Sequence, residues 1–220
     1  MLAVFLTLAP FVGGPVVAAQ CDSCVLDFTG GTQQVPFTFA TTVGWKFTVG
    51  SGFTITIEGL GLFDFGANGL AEDHQIALWK SDTSLLALTT IKADGSNSTP
   101  VASTSADGNW RSTPITSLKL TAGDYVVGAS YAASSADTFM KGATASTIKG
   151  VTWDEYRGGK GTAFPPTFTG EGGNGFFGPN LFIAAAPPVP EPKTYAMLMA
   201  GLGLLGLIAR RRRKSLNAAA

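Results

Sequence analysis

The chain has 220 residues, a formal net charge of zero and only 14% charged side chains. The balance hides an asymmetry: six of the 15 basic residues lie from Lys193 to Lys214, which leaves the stretch from Gln20 to Pro190 with nine basic and 14 acidic residues, a net charge of −5. Such a body speaks against nucleic-acid binding, which needs clustered cations to displace phosphate counterions, and 28 glycines amid many Thr and Ser suit an exported, turn-rich all-β protein better than a cytosolic enzyme.

Residues 1–19, MLAVFLTLAPFVGGPVVAA, are mostly apolar and end in small residues, with Val17 and Ala19 at the −3 and −1 positions of a cut before Gln20. This predicts a signal peptide, although no Lys or Arg follows Met1. Pro10, Gly13, Gly14 and Pro15 disfavour a buried helix or strand there. Cys21 and Cys24 follow as C-D-S-C. In an exported chain the pair reads as a local disulfide, with redox work, lipid attachment or metal ligation as the alternatives.

From Val25 to Phe182, short alternating or β-branched runs are separated by Gly, Asn, Asp and Ser clusters. The predicted strands are VLDF, QVPFTFA, WKFTVG, FTITIEGLGLF, HQIALWK, LLALTTI, SLKLT, DYVVGASY, STIKGVTW and NLFIAA. Trp45, Phe47 and Val49 share one face at period two, as do Ile55 with Ile57 and Ile76 with Leu78. The segments Lys92–Ser112 and Arg157–Asn180 read as long surface excursions. The expected fold is an all-β, antiparallel, jelly-roll-like β-sandwich over residues 20–183.

Within it, Gly61–Trp79 reads GLFDFGANGLAEDHQIALW. Gly66, Ala67, Asn68 and Gly69 allow a tight reversal, after which Leu70, Ile76, Leu78 and Trp79 re-enter a core. The stretch resembles the F-D-x-G-x-x-G-L-x-x-x-H-x-V-x-L-W motif of β-sandwich domains of unassigned function, which commonly precede a tail like the one here. LTAGDYVVGASY and FFGPNLF resemble their later strands. The resemblance implies the fold and says little about a ligand.

Asp64, Asn68, Glu72 and Asp73 offer oxygens to Ca²⁺, the one cofactor the sequence suggests, although they do not follow an EF-hand loop; solvated turn residues are the plainer reading. His74, the only histidine, has no nucleophile elbow or second histidine at useful spacing. It reads as a hydrogen-bonded residue at a strand start, and the chain as a non-enzyme. Trp110, Tyr131, Trp153 and Tyr156 would stack on sugar rings if exposed, or fill the core if not. For a polysaccharide hydrolase, Asp64, Asp73, Asp154 and Glu155 are the acids to consider.

Residues 184–189 form a Pro/Ala linker that prolines hold extended. Pro190-Glu191-Pro192 then presents a rigid extended peptide. The apolar run Thr194–Ala209 has 16 residues, about 24 Å as a helix against a hydrocarbon core of about 30 Å. It is predicted as a single transmembrane helix of minimal length, with Arg210, Arg211, Arg212, Arg213 and Lys214 on the cytoplasmic side. Residues 215–220 read as a disordered tail. Gly201, Gly203 and Gly206 mimic a dinucleotide fingerprint, but no strand precedes them and no βαβ unit follows.

VPEPKTYAMLMAGLGLLGLIARRRRK resembles the PEP-CTERM sorting signal of Gram-negative bacteria over residues 190–214 and the valine before them. The resemblance implies recognition of Pro190, Glu191 and Pro192 by exosortase, an integral-membrane, cysteine-dependent processing enzyme often encoded with exopolysaccharide production. It also implies stop-transfer by the basic block. The expected protein is therefore exported, held at the cytoplasmic membrane with a periplasmic ectodomain, then delivered to the cell surface or an extracellular polymer. The expected function is structural or interactive, with a carbohydrate- or calcium-binding module and a hydrolase as rivals.

Overall fold

The computed structural model describes residues 21–35, 37–161, 163–167 and 175–184. The predicted leader, nearly all of the linker, the sorting signal with its span and basic block, and the final tail lie outside the described residues.

The described residues form strands and no helix: β1 Leu26–Thr29, β2 Thr32–Gln34, β3 Thr41–Val49, β4 Ile55–Phe65, β5 His74–Lys80, β6 Leu85–Ile91, β7 Thr99–Val101, β8 Gly108–Leu120, β9 Gly123–Tyr131, β10 Phe139–Lys141, β11 Thr144–Thr147, β12 Val151–Lys160, β13 Phe176–Phe177 and β14 Pro179–Ile183. One main sheet has the order β12-β3-β9-β5-β6 and the other β14-β4-β8-β7, with β13-β10-β2 and β1-β11 as smaller sheets. The pairings are antiparallel. The chain changes main sheet after β3, β4, β6 and β8 and again between β12 and β14, the crossing habit of a jelly roll.

The period-two faces point inward. Trp45, Phe47, Ile57, Ile76 and Leu78 are buried between the main sheets, and each large apolar side chain so buried contributes about 1.5–3 kcal/mol. The Trp45 indole N–H crosses to the Pro179 carbonyl at 2.8 Å, tying β3 to β14. An aromatic knot of Phe28, Phe63 and Trp110, with ring centroids 4.8–5.4 Å apart, closes one part of the core.

Beside that knot lies the buried carboxylate of Asp27. Its Oδ1 accepts from Ser103 Oγ at 2.7 Å, Trp110 Nε1 at 3.0 Å and the Phe28 amide at 3.0 Å. Its Oδ2 accepts from the Thr104 amide and hydroxyl, both at 2.8 Å. One side chain thereby pins the 103–104 loop to β1.

The two ends of the domain form a seam. The Val25 amide donates to the Leu181 carbonyl at 2.9 Å and the Ile183 amide to the Ser23 carbonyl at 2.8 Å, around a bridge between Cys24 and Phe182. Cys21 and Cys24 are joined as a disulfide beside it.

Several elements differ from expectation, among them STIKGVTW, read as one strand but broken by a turn at 149–150 into β11 and β12. The predicted strand QVPFTFA, residues 34–40, is not formed as read: β2 lies at Thr32–Gln34 and shares only Gln34 with it, consistent with Pro36 having no amide hydrogen for a ladder. The long excursion after Lys92 stops at Asp107, because β8 pairs with β4 from Gly108 onward, ten residues before its predicted apolar run becomes legible. β12 continues to Lys160, since Arg157, Gly158 and Gly159 keep register with Gly44, Val43 and Thr42.

Candidate functional site

The reversal after β4 is built around Asp64. Gly66, Ala67 and Gly69 have φ of 79°, 52° and 98°, the left-handed region that two glycines supply cheaply. Asp64 Oδ2 accepts from the Gly69 amide at 3.0 Å and from Arg111 Nε on β8 at 2.7 Å. The acidic residue of the F-D motif therefore locks the turn to the neighbouring strand, and its side chain is only 2% exposed.

The chain then runs through Ala71 and Glu72 into His74, the first residue of β5. His74 is fully buried, on the same inward face as Ile76 and Leu78. Its Nδ1 donates to the Ser130 carbonyl of β9 at 2.7 Å, which fixes a proton on that nitrogen. Its Nε2 lies 2.8 Å from Oδ2 of Asp137, in the segment after β9. The Tyr131 ring packs edge-on against the imidazole at a centroid distance of 4.8 Å.

Asp137 gathers the corner. Besides His74 it accepts from the Ala71 amide at 2.9 Å and the Glu72 amide at 3.1 Å. Burial works to raise its carboxyl, but the His74 ring and the two amides outweigh burial and hold it below the usual carboxylate value. Glu72 returns the clasp by accepting from the Ala132 amide at 3.1 Å. Burial, aided by the nearby charges of Asp137 and Glu72, pushes the Tyr131 phenol well above its ordinary value, so it stays neutral. Ligand atoms of Glu72, His74 and Asp137 lie within 4.8 Å of one another. Asp137 also lines a cavity of about 560 Å³ with Gln33, Asn68, Ala71 and Thr138.

His74 is thus hydrogen-bonded at a strand start, as its sequence context suggests. The four oxygen residues expected to share a cation are not gathered, because two of the acids have cations of their own. Asp64 is held by Arg111, and Asp73 by Lys92 at 2.6 Å. Asn68, with its amide oriented to donate, serves the Phe65 and Gly69 carbonyls. Only Glu72 joins the cluster, and its companions are His74 and Asp137. Of the acids considered for hydrolysis, Asp154 accepts from the Thr48 hydroxyl at 2.8 Å and Glu155 from Arg157 at 2.6 Å.

The aromatic residues divide. Trp110 and Tyr131 are 0% and 1% exposed, which removes them as sugar platforms and places them in the core. Trp153 and Tyr156 are half-buried on β12. A bulge at Asp154 puts them opposite Phe47 and Trp45, so both turn toward the core edge despite their odd spacing. Trp153 nevertheless lines a groove of about 410 Å³ with Thr144, Thr147 and Thr152. Asp137, Arg111 and Ser130 are the residues that the sequence did not single out.

Fold and corner together define a β-sandwich whose first and last described segments meet at one seam and whose buried histidine is clasped by two loops. Residues 188–214 match the family model of the PEP-CTERM protein-sorting motif. That motif marks an exported precursor, anchored in a membrane, sorted to the cell surface and processed by exosortase. Neither the curated proteins nor the solved structures contain a match to the chain.

Proposed function

We propose that this protein is a non-enzymatic structural or interaction component of an extracellular polymer layer, placed there by exosortase acting at Pro190-Glu191-Pro192. The match of residues 188–214 to the sorting motif carries this reading. Its ectodomain lies on the periplasmic side of the cytoplasmic membrane before processing, with Arg210 to Lys214 retained in the cytoplasm. The domain then associates with exopolysaccharide in the surface layer or biofilm.

The architecture is compatible with that role. The sandwich closes its two ends against each other and secures its exposed turns with carboxylate-to-amide bonds, so it withstands release from an anchor. Trp153 and the threonines beside it supply one apolar face and several hydroxyls, a chemistry that suits a pyranose ring.

The test replaces Pro190-Glu191-Pro192 with three alanines in the native host and follows molecular mass and location. Processing should stop and the protein should accumulate at the cytoplasmic membrane. Unchanged mass and unchanged delivery would refute exosortase recognition. Normal delivery of the native chain to a surface devoid of polysaccharide, with equal retention there, would refute the polymer association alone.

A further inference from the structure

We propose that Glu72, His74 and Asp137 form a binding site for a divalent transition-metal ion of the zinc type. The reasoning begins with protons. The Ser130 carbonyl can only accept, so His74 Nδ1 carries a hydrogen. That leaves Nε2 aimed at the Asp137 carboxylate, 2.8 Å away. In the neutral ring Nε2 is a lone pair, and a lone pair facing a carboxylate oxygen inside a protein needs something positive between them. Either a second proton or a metal ion satisfies the arrangement.

Three observations favour a site that takes the ion. First, the imidazole is set up as metal-ligating imidazoles are: the nitrogen away from the cluster donates to a backbone carbonyl, which fixes the tautomer and the ring plane. Second, Glu72 adds another carboxylate within 4.8 Å, and among the described residues no side-chain cation is paired with it; its bond is to the Ala132 amide. Even with a doubly protonated ring, the three groups sum to one negative charge. Third, both acids are fixed by amides of the neighbouring loop, so their oxygens are held before any ion arrives.

The donor set selects the metal class. Calcium prefers six to eight oxygens, whereas an imidazole nitrogen joined by carboxylate oxygens suits zinc and its neighbours. Binding at neutral pH, where carboxylates are ionised, proceeds with an ion displacing whatever proton Nε2 carries: the imidazolium and M²⁺ give the metal-bound imidazole and one released H⁺. The Nδ1–H bond to Ser130 is unchanged throughout. Because Asp137 borders the cavity beside Asn68 and Thr138, water has access to complete the coordination.

The chain's single histidine makes the test unambiguous. Full-length protein in detergent, stripped with a chelator and labelled with ¹⁵N, is titrated with zinc chloride while the two imidazole nitrogens are observed by NMR. Nδ1 should remain protonated and Nε2 should move to a metal-bound shift at one equivalent. Glu72→Gln, a change on the half-exposed side of the cluster that leaves the fold intact, should weaken zinc about tenfold or more, and calcium chloride should leave Nε2 unmoved. A Nε2 resonance indifferent to excess zinc, or an affinity unchanged in Glu72→Gln, would overturn the proposal.

Discussion

Replacing Asp27 by Asn tests whether a single buried carboxylate holds the 103–104 loop to the sandwich. The substitution keeps the shape of the side chain but converts one acceptor into a donor. If the amide oxygen takes the place of Oδ1, it still serves Trp110 Nε1 and the Phe28 amide, while its NH₂ confronts the Thr104 amide, now 2.8 Å from a second donor. If it takes the place of Oδ2, the Trp110 indole N–H is orphaned instead, in a side chain with no exposure at all. The Ser103 and Thr104 hydroxyls can rotate to accept, but the N–H groups cannot. One orphaned buried donor costs about 1–3 kcal/mol, and the surviving bonds lose their charge assistance, so the expected loss is about 2–4 kcal/mol. With a urea m-value of about 1–3 kcal/mol/M, the midpoint should fall by about 1 M or more. Urea unfolding followed by tryptophan emission measures this, and Asp27→Ala, which removes the acceptor of all five bonds, should fall further. A midpoint for Asp27→Asn within error of the parent chain would mean that the loop is held by something other than this carboxylate.

Two further outcomes follow from the corner and the seam. Asp137 has a carboxyl depressed in the folded state, so its stabilising contribution is present above the unfolded value, about 3.9, and is lost as pH falls through the lower folded value. Protection factors of the Ala71 and Glu72 amides against hydrogen exchange, corrected for the intrinsic rate at each pH, should therefore fall below about pH 4, and Asp137→Ala should remove that step by leaving protection low throughout. The Cys21–Cys24 disulfide closes a loop with a sequence separation of only three, so replacing both cysteines with serine should cost about 2 kcal/mol from chain entropy, plus the loss of two buried sulfurs. Thermal unfolding with and without reductant reads that difference.

What was legible in the sequence is what depends on neighbours along the chain. The alternation in WKFTV identifies the inward face of β3 because the side-chain period is a local property. GANG identifies a reversal because left-handed backbone needs glycine locally. His74 as a hydrogen-bonded strand start is local as well. The partners are not. Asp137 is 63 positions from His74 and Arg111 is 47 from Asp64, and no spacing rule reaches across a fold in which the chain repeatedly crosses from one sheet to the other. The sugar-platform reading of Tyr131 failed on the same ground, because exposure is decided by which sheet lies opposite. Trp153 and Tyr156 were obscured differently: a one-residue bulge reverses the parity on which a face is counted. β8 began earlier than expected because, Trp110 aside, its first residues are small or polar and show no apolar alternation, and pairing with β4 holds them in the sheet.

The seam between residues 23–25 and 181–183 has a consequence for how the domain bears handling. A strand that is last in sequence is hydrogen-bonded to the residues that are first, so the domain is a ring in all but its covalent bond. Traction on the C-terminal side reaches β14, which is laced on one edge to β4 and on the other to the N-terminal segment. It must shear two rows of bonds at once before anything behind them is disturbed.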